Sequence, residues 1–250
     1  MSAVTTSAPR LLEAALRLHA RLEADHLHGG RLAGDDQGVR WNIRVWRFWK
    51  SYFPMLAASE RHFFLQGQGY WALANWTLLD LTGEDRYRER AREATEAVDE
   101  SQREDGAWDY PLRERRHLVA TVEGDFGAVT LLEGHRRGLG DDVLRSARAW
   151  HDYVELKIGY QEHPGGLAVN YFDRPRGMVP NNTAEWVWVL GRFASVTGDH
   201  RFLGRVPSLL GFLEAVQLPS GELPYEIGGR YQGRTRIHYL CYQYNAFQCM

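Results

Sequence analysis

An internal repeat constrains this chain more than any other feature, because two independent markers recur in step along it. The first is a helix-break-helix junction: Leu81-Thr82-Gly83-Glu84-Asp85, Leu139-Gly140-Asp141-Asp142 and Val196-Thr197-Gly198-Asp199. Glycine tolerates the left-handed conformation that closes a helix, and the acid after it can cap the next helix and oppose its dipole. The second marker is Gln-x-x-x-Gly-x-(Trp/Leu), in Gln102 to Trp108, Gln161 to Leu167 and Gln217 to Leu223. Its copies start 59 and 56 residues apart, so one unit is about 57 residues.

The segments between the markers are of two kinds. After each junction the apolar residues follow helical spacing: Tyr87, Ala91, Ala94 and Val98; Val143, Ala147, Trp150 and Val154; Phe202, Val206, Leu209 and Leu213. One apolar stripe on a charged helix suits an outer layer. Before each junction, Gly69–Leu81, Phe126–Leu132 and Thr183–Leu190 are apolar nearly all round, which demands burial in an inner layer. Leu11, Ala15, Leu18 and Leu22 mark an earlier amphipathic helix, and Val39–Tyr52 reads as another helical segment in a degenerate first unit.

Inner-to-outer connections are two or three residues, whereas the outer-to-inner ones (Gln102–Glu123, Gln161–Asn181 and Gln217–Ile237) are long enough to carry function. The fold class is therefore all-α: an incomplete α/α toroid in a single domain, with degenerate helices over 1–60, repeats over 61–250, and all long loops on one face. At the C-terminus, Tyr239, Tyr242, Ala246 and Phe247 form a buried-type stripe with no outer partner. This predicts a truncated chain, or self-association through an open C-terminal edge.

Composition excludes several classes of partner. A net charge of −2 without a dominant basic block gives no sign of nucleic acid. The longest apolar runs, such as Trp186–Leu190, fall far short of the ~20 residues that span a bilayer. Met1–Arg10 lacks the apolar core of a secretory signal, so a cytoplasmic location is expected. Cys241 and Cys249 on one helix would stand ~12 Å apart, too far for a disulfide. Two cysteines make no structural zinc set, and no metal or other cofactor is expected.

The glutamine-glycine-tryptophan repeats resemble the QW motif of the terpenoid cyclase and protein prenyltransferase toroids; Gln102 to Trp108 matches fully, and the other copies carry leucine for tryptophan. The hairpins with Gly-x-aromatic loops are also similar to six-hairpin glycosidases, lyases and epimerases of polysaccharides. Ala120-Thr121-Val122-Glu123-Gly124 and Val179-Pro180-Asn181-Asn182 resemble strings in uncharacterised bacterial toroid proteins. The likeness covers roughly residues 60 to 250. Against the terpenoid pattern, Asp-x-Asp-Asp is missing, Asp141-Asp142 sits at a tight turn, and no prenyltransferase zinc set can be mapped.

Candidate site residues gather where the inner helices begin. Glu123 and Asp125 can act as a carboxylate pair of split acidity, or cap their helix. Asn181, Asn182 and Glu185 open the next inner helix and can bond sugar hydroxyls, one asparagine serving as the N-cap. Asn170 joins them from the loop, with Tyr110, Tyr171 and Tyr225 as inward-facing aromatics and Trp108 and Leu167 as staples. His238, Tyr242 and Asn245 share one helical face, as a site or as a core network. Arg230, Arg234 and Arg236 suit an anion or form a solvated loop.

The leading functional reading is a carbohydrate-active protein that binds, and cleaves or epimerises, an acidic saccharide. In it Glu123 or Asp125 is the acid/base, Tyr225 and His238 carry protons, and the arginines hold the carboxylate. The alternatives are a terpenoid-cyclase-like enzyme whose Trp71, Trp76, Trp186 and Trp188 line an apolar pocket, and a noncatalytic interaction scaffold.

Overall fold

A computed structural model describes residues 8–35, 47–53, 61–111 and 116–229. The amphipathic stripe of Leu11 to Leu22 becomes α1 (Ala8–His26). It is followed by β1 (Leu27–His28) and β2 (Arg31–Leu32), a hairpin turned by Gly29 and Gly30, both at positive φ. Next come β3 (Gly34–Asp35), a short α2 (Arg47–Tyr52) and β4 (Arg61–His62), which pairs with β3. These four strands interrupt what the sequence reads as purely helical.

Three hairpins then follow with α/α-toroid architecture. The inner helices are α3 (Leu65–Thr82), α5 (Thr121–Arg136) and α7 (Pro180–Thr197), and their outer partners are α4 (Asp85–Glu100), α6 (Asp141–Tyr153) and α8 (Val206–Val216). Every residue of α5 from Thr121 to Gly134 is buried, as an inner helix requires. The outer helices bury one stripe each: Tyr87, Ala91, Ala94 and Val98 on α4, and Val143, Ala147 and Trp150 on α6. Two outer helices are less regular than their spacing predicts. A π turn, Val154–Ile158, extends α6, and a 3₁₀ turn, His200–Arg205, precedes α8. Pro207 accounts for the second, since proline is accommodated only in a first helical turn and so fixes where α8 begins.

Gly83 and Gly198 close their helices in the left-handed conformation, at φ of 71° and 70°. The middle junction differs: α5 ends earlier, at Arg136, and Gly140 opens α6. Of the acids expected to cap, Asp199 does so, accepting from the Arg201 backbone N–H at 3.0 Å, whereas Glu84 makes no side-chain cap.

The core lies between the layers, where Trp150 and Trp186 are wholly buried. Fully burying a large apolar side chain contributes about 1.5–3 kcal/mol. Trp150 fits because Gly124 on α5 has no side chain; a Cβ there would overlap the indole ring. Trp108 staples the first long loop as predicted, donating from Nε1 to the Val98 carbonyl at 3.0 Å.

The C-terminal ends of the inner helices form the base of the toroid and are tied by charge. Glu133 on α5 accepts from Arg136, from Arg137 Nε at 2.8 Å and from Arg192 of α7 at 2.5 Å. Arg137 also grips Asp80 of α3 with both terminal nitrogens, each at 2.6 Å.

The long loops gather at the opposite end, as expected. Ala120 bridges Phe172, which joins the first loop to the second; Met178 and Ile227 exchange backbone bonds of 2.9 and 2.8 Å, which joins the second to the third. The second loop is not structureless, for it contains the hairpin of β5 (Tyr160–His163) and β6 (Gly166–Val169).

Candidate active site at the toroid mouth

The start of α5 is fixed by its neighbours. Ala120 is extended and bridged to Phe172, and the Thr121 N–H bonds the Tyr171 carbonyl at 3.0 Å, so the helix begins inside the loop cluster. This places Glu123 in its first turn and Asp125 beyond it.

Neither carboxylate caps α5, whose N-cap is Ala120 without a side-chain bond. Glu123 instead caps the neighbouring inner helix: its Oε2 accepts from the Gln66 backbone N–H of α3 at 3.2 Å. Burial pushes its pKa up to about 7, and the Gln66 and Leu65 N–H groups only partly oppose this. Asp125, two residues on, points the other way. It is fully buried, accepts from Trp150 Nε1 at 3.1 Å, and leaves Oδ2 without a hydrogen-bond partner among the described residues. Its pKa is raised well above the ordinary range by burial, against the Trp150 bond and with the charge of Glu185 adding to the rise. The two carboxylates are therefore not an acid/base pair. Residues two apart on a helix face opposite sides.

Tyr171 is the hub of the predicted residues. Its pKa is raised well above the phenol range by burial and then by the charges of Tyr110, Glu123, Tyr225 and Glu185. All four were singled out by sequence, and each acts electrostatically on this phenol. Tyr110 meets Phe172 edge-on at 6.0 Å, and Phe172 meets Tyr171 at 4.7 Å. Tyr110 also lines a cavity of about 330 Å³ with His62, Asp109 and Arg116.

The asparagines do other work than expected. The N-cap of α7 is Val179, with Pro180 in the first turn, so neither Asn181 nor Asn182 is the cap. Asn182 is buried, its amide directed to the Val169 carbonyl of β6 at 3.5 Å, while Asn181 is half-buried. Asn170 is structural as well: its Nδ2 donates to the Ile158 carbonyl at 2.8 Å, and its own carbonyl receives the Thr121 hydroxyl. Arg230, Arg234, Arg236, His238, Tyr242 and Asn245 lie outside the described residues.

Sequence reasoning missed an aromatic layer below the mouth, with one ring from each inner helix. Phe126 of α5 stands 4.7 Å from Tyr70 of α3 and 5.8 Å from Trp188 of α7. The signal was present as aromatics on successive inner helices. Arg176, stacked over Phe172 at 5.3 Å, is a loop cation that was also passed over. The four tryptophans of the terpenoid reading do not share a pocket. Trp71 stacks on His19 of α1 at 4.3 Å, and Trp186 donates outward to the Tyr160 hydroxyl at 2.9 Å. Among the described residues, Trp76 and Trp188 line a common cavity, and it lies at the base.

No protein-family model and no curated protein sequence matches the chain. Solved structures do match in fold. The unsaturated glucuronyl hydrolase of Bacillus sp. GL1, responsible for the degradation of glycosaminoglycan, superposes with a TM-score of 0.54 at 11% identity, over 67% of this chain and 50% of that one. The GH76 α-mannanase of Bacteroides thetaiotaomicron gives 0.54 at 14% identity, over 68% and 49%. A UGL variant with dGlcA-Glc-Rha-Glc gives 0.59 at 12% identity, over 91% and 57%. The chain spans about half the length of these structures and shares their α/α-toroid fold. Among the described residues, no helix is long and apolar enough to cross a membrane.

Proposed function

We propose that the chain binds an acidic saccharide in the toroid mouth and cleaves or epimerises it, with Glu123 as the proton-transferring group. One observation carries this reading: a carboxyl buried at the loop-bearing end of the ring, with its pKa raised to about 7. Such a group is part protonated at neutral pH, where an acid/base catalyst is most effective. In cleavage, the Glu123 proton passes to the glycosidic oxygen as its bond to carbon breaks, and the water that takes the leaving group's place returns a proton. The phenols of Tyr110, Tyr171 and Tyr225 supply hydroxyls and ring faces, which suit a hydroxylated ring better than a hydrocarbon. Arg176 supplies a cation for an acidic group, and Arg230, Arg234 and Arg236 are proposed to join it. His238 is proposed as a second proton carrier, and Tyr242 and Asn245 as further binding groups. Asp125 is withdrawn from catalysis, since it faces Trp150. The saccharide-acting neighbours support the substrate class, and their names suggest the probes.

The test is turnover of glycosaminoglycan-derived unsaturated oligosaccharides and of α-mannan oligosaccharides by the purified chain. Cleavage or epimerisation of a uronate-bearing substrate is expected. Glu123→Gln should lower kcat by about 10²–10⁴ without lowering the melting temperature at neutral pH. Absence of both binding and turnover across these probes would overturn the proposal, as would full activity in the variant.

A further inference from the structure

The base of the toroid holds a second cavity, of about 270 Å³, lined among others by Trp76 of α3, Arg136 and Arg137 of α5, and Trp188 and Arg192 of α7. It lies apart from the mouth: Glu133 follows Glu123 by ten residues on one helix, a rise of about 15 Å. The cavity far exceeds the ~30 Å³ that one water occupies in the liquid.

Arginines near helix C-termini have a ready structural explanation, since they oppose the dipole and satisfy terminal carbonyls. Here they do more. Three guanidinium groups (Arg136, Arg137 and Arg192) face two carboxylates (Glu133 and Asp80), which leaves an excess positive charge. The unmet hydrogen-bonding capacity is also of one kind. Two buried nitrogens of cavity-lining side chains, Trp76 Nε1 and Arg192 Nε, have no hydrogen-bond partner among the described residues. Both groups donate only and cannot accept. Leaving a buried donor unmet costs about 1–3 kcal/mol. Arg137 already spends all three nitrogens on Glu133 and Asp80, and its guanidinium lies 5.2 Å over the Trp76 ring, so the cation beside the indole is held in place.

A cavity with surplus positive charge, lined by two side chains that each carry an orphaned buried donor, is complementary to an acceptor-only group that carries negative charge. We propose that the base cavity binds a small oxyanion of the phosphate or carboxylate class, received by Arg192, Trp76 and Arg136. The site stands on different residues from the mouth and does not rest on the saccharide reading.

The test uses inorganic phosphate and acetate as probes, in separate calorimetric titrations of the full chain at pH 7 and fixed ionic strength, with potassium chloride as the control. Saturable binding of phosphate or acetate, one-to-one and absent with chloride, is expected; the arm that binds more tightly assigns the class. Trp76→Phe keeps the ring and removes one donor, and should weaken binding about 5-fold or more. Arg192→Leu should abolish it. Because Arg192→Leu also strips a partner from Glu133, circular dichroism must show it folded, and Trp76→Phe decides the matter if it is not. Glu123→Gln should leave binding unchanged, which separates this site from the mouth. No saturable binding of either anion, an equal response to chloride, or unchanged affinity in Trp76→Phe would each overturn the proposal.

Discussion

Glu123 and Glu133 sit on one helix, are buried to the same degree at 5% and 4% exposure, and are driven in opposite directions. Glu123, at the mouth, is opposed in its burial by the backbone N–H groups of Gln66 and Leu65, and burial carries its pKa up to about 7. Glu133, at the base, is also pushed up by burial, but bonds from Arg136 and Arg137 and the charges of Arg136 and Arg192 overcome that and hold it at about 2. Burial alone thus says nothing about what a carboxyl will do; its partners decide. One end of the ring keeps a proton within reach at neutral pH, and the other spends its carboxylate as a structural clamp.

The largest effect that can break this comparison is removal of the clamp. Glu133→Ala strips a partner from three arginines, of which Arg137 keeps Asp80, and removes the ion pair that ties α5 to α7. Breaking a buried charged network costs about 3–5 kcal/mol, which for a chain this long is a fall of roughly 6–20 °C in melting temperature at ~2–4 °C per kcal/mol. Urea unfolding of the variant measures it. A loss below about 1 kcal/mol would place the network with exposed ion pairs and dissolve the contrast between the two ends.

A somewhat smaller effect sharpens the comparison through pH. The folded pKa of Glu123, about 7, lies above its unfolded value, so between about pH 4.5 and 7 the native state holds a proton that the unfolded state has released. Stability from this residue is complete below pH 4.5 and is lost as pH rises through 7, by about 3 kcal/mol at ~1.4 kcal/mol per pH unit. Glu133 has the opposite sign: its folded value, about 2, is depressed, so its contribution is present above pH 4.5 and lost as pH falls through 2. Glu123→Gln should therefore flatten the decline between pH 5 and 8 and leave the acid limb intact. Thermal melts of both proteins across that range check this. An unchanged neutral limb would mean that Glu123 is not the group that titrates.

Little of this contrast was legible in the sequence, although the architecture was. Three junctions and three glutamine markers gave the hairpins, the inner and outer layers and the end at which the loops collect. Those features depend on period, and period survives without knowledge of neighbours. Side-chain direction does not. Glu123 and Asp125 read as a pair because they are two apart, but the helix turns them to α3 and to Trp150 respectively. Which neighbour stands on each side is set by packing 57 and 25 residues away in the chain. The β5–β6 hairpin was hidden for a different reason, since strands of four residues show too little alternation to register. The surroundings of Tyr171 were half legible: Tyr110 and Tyr225 could be chosen by loop position and Glu123 and Glu185 by their place where inner helices open, but not their shared electrostatic action on one phenol.

The smallest effect carries the comparison to the repeat itself, where one residue type again has a partner in one copy and none in another. Gln102 Nε2 donates to the Gly106 carbonyl at 2.8 Å and to the Ser146 carbonyl of α6 at 2.9 Å, clamping its loop to the next outer helix. Gln217 repeats the first bond, to Gly221 at 2.8 Å, from an exposed position. Gln161, displaced into β5, has a buried Nε2 with no hydrogen-bond partner among the described residues. Net bonds of this kind contribute about 0.5–1.5 kcal/mol each, and removing an unmet polar group costs little. Gln102→Ala should therefore lose about 1–2 kcal/mol and Gln217→Ala about 0.5 kcal/mol. Gln161→Ala should stay within about 0.5 kcal/mol of the parent, all read from urea midpoints at constant slope. Equal losses at the three positions would show that the motif glutamine acts through packing rather than through its amide. That result would remove the reason for a glutamine at each turn of the repeat and leave the spacing of the glycines as the only marker with a physical cause.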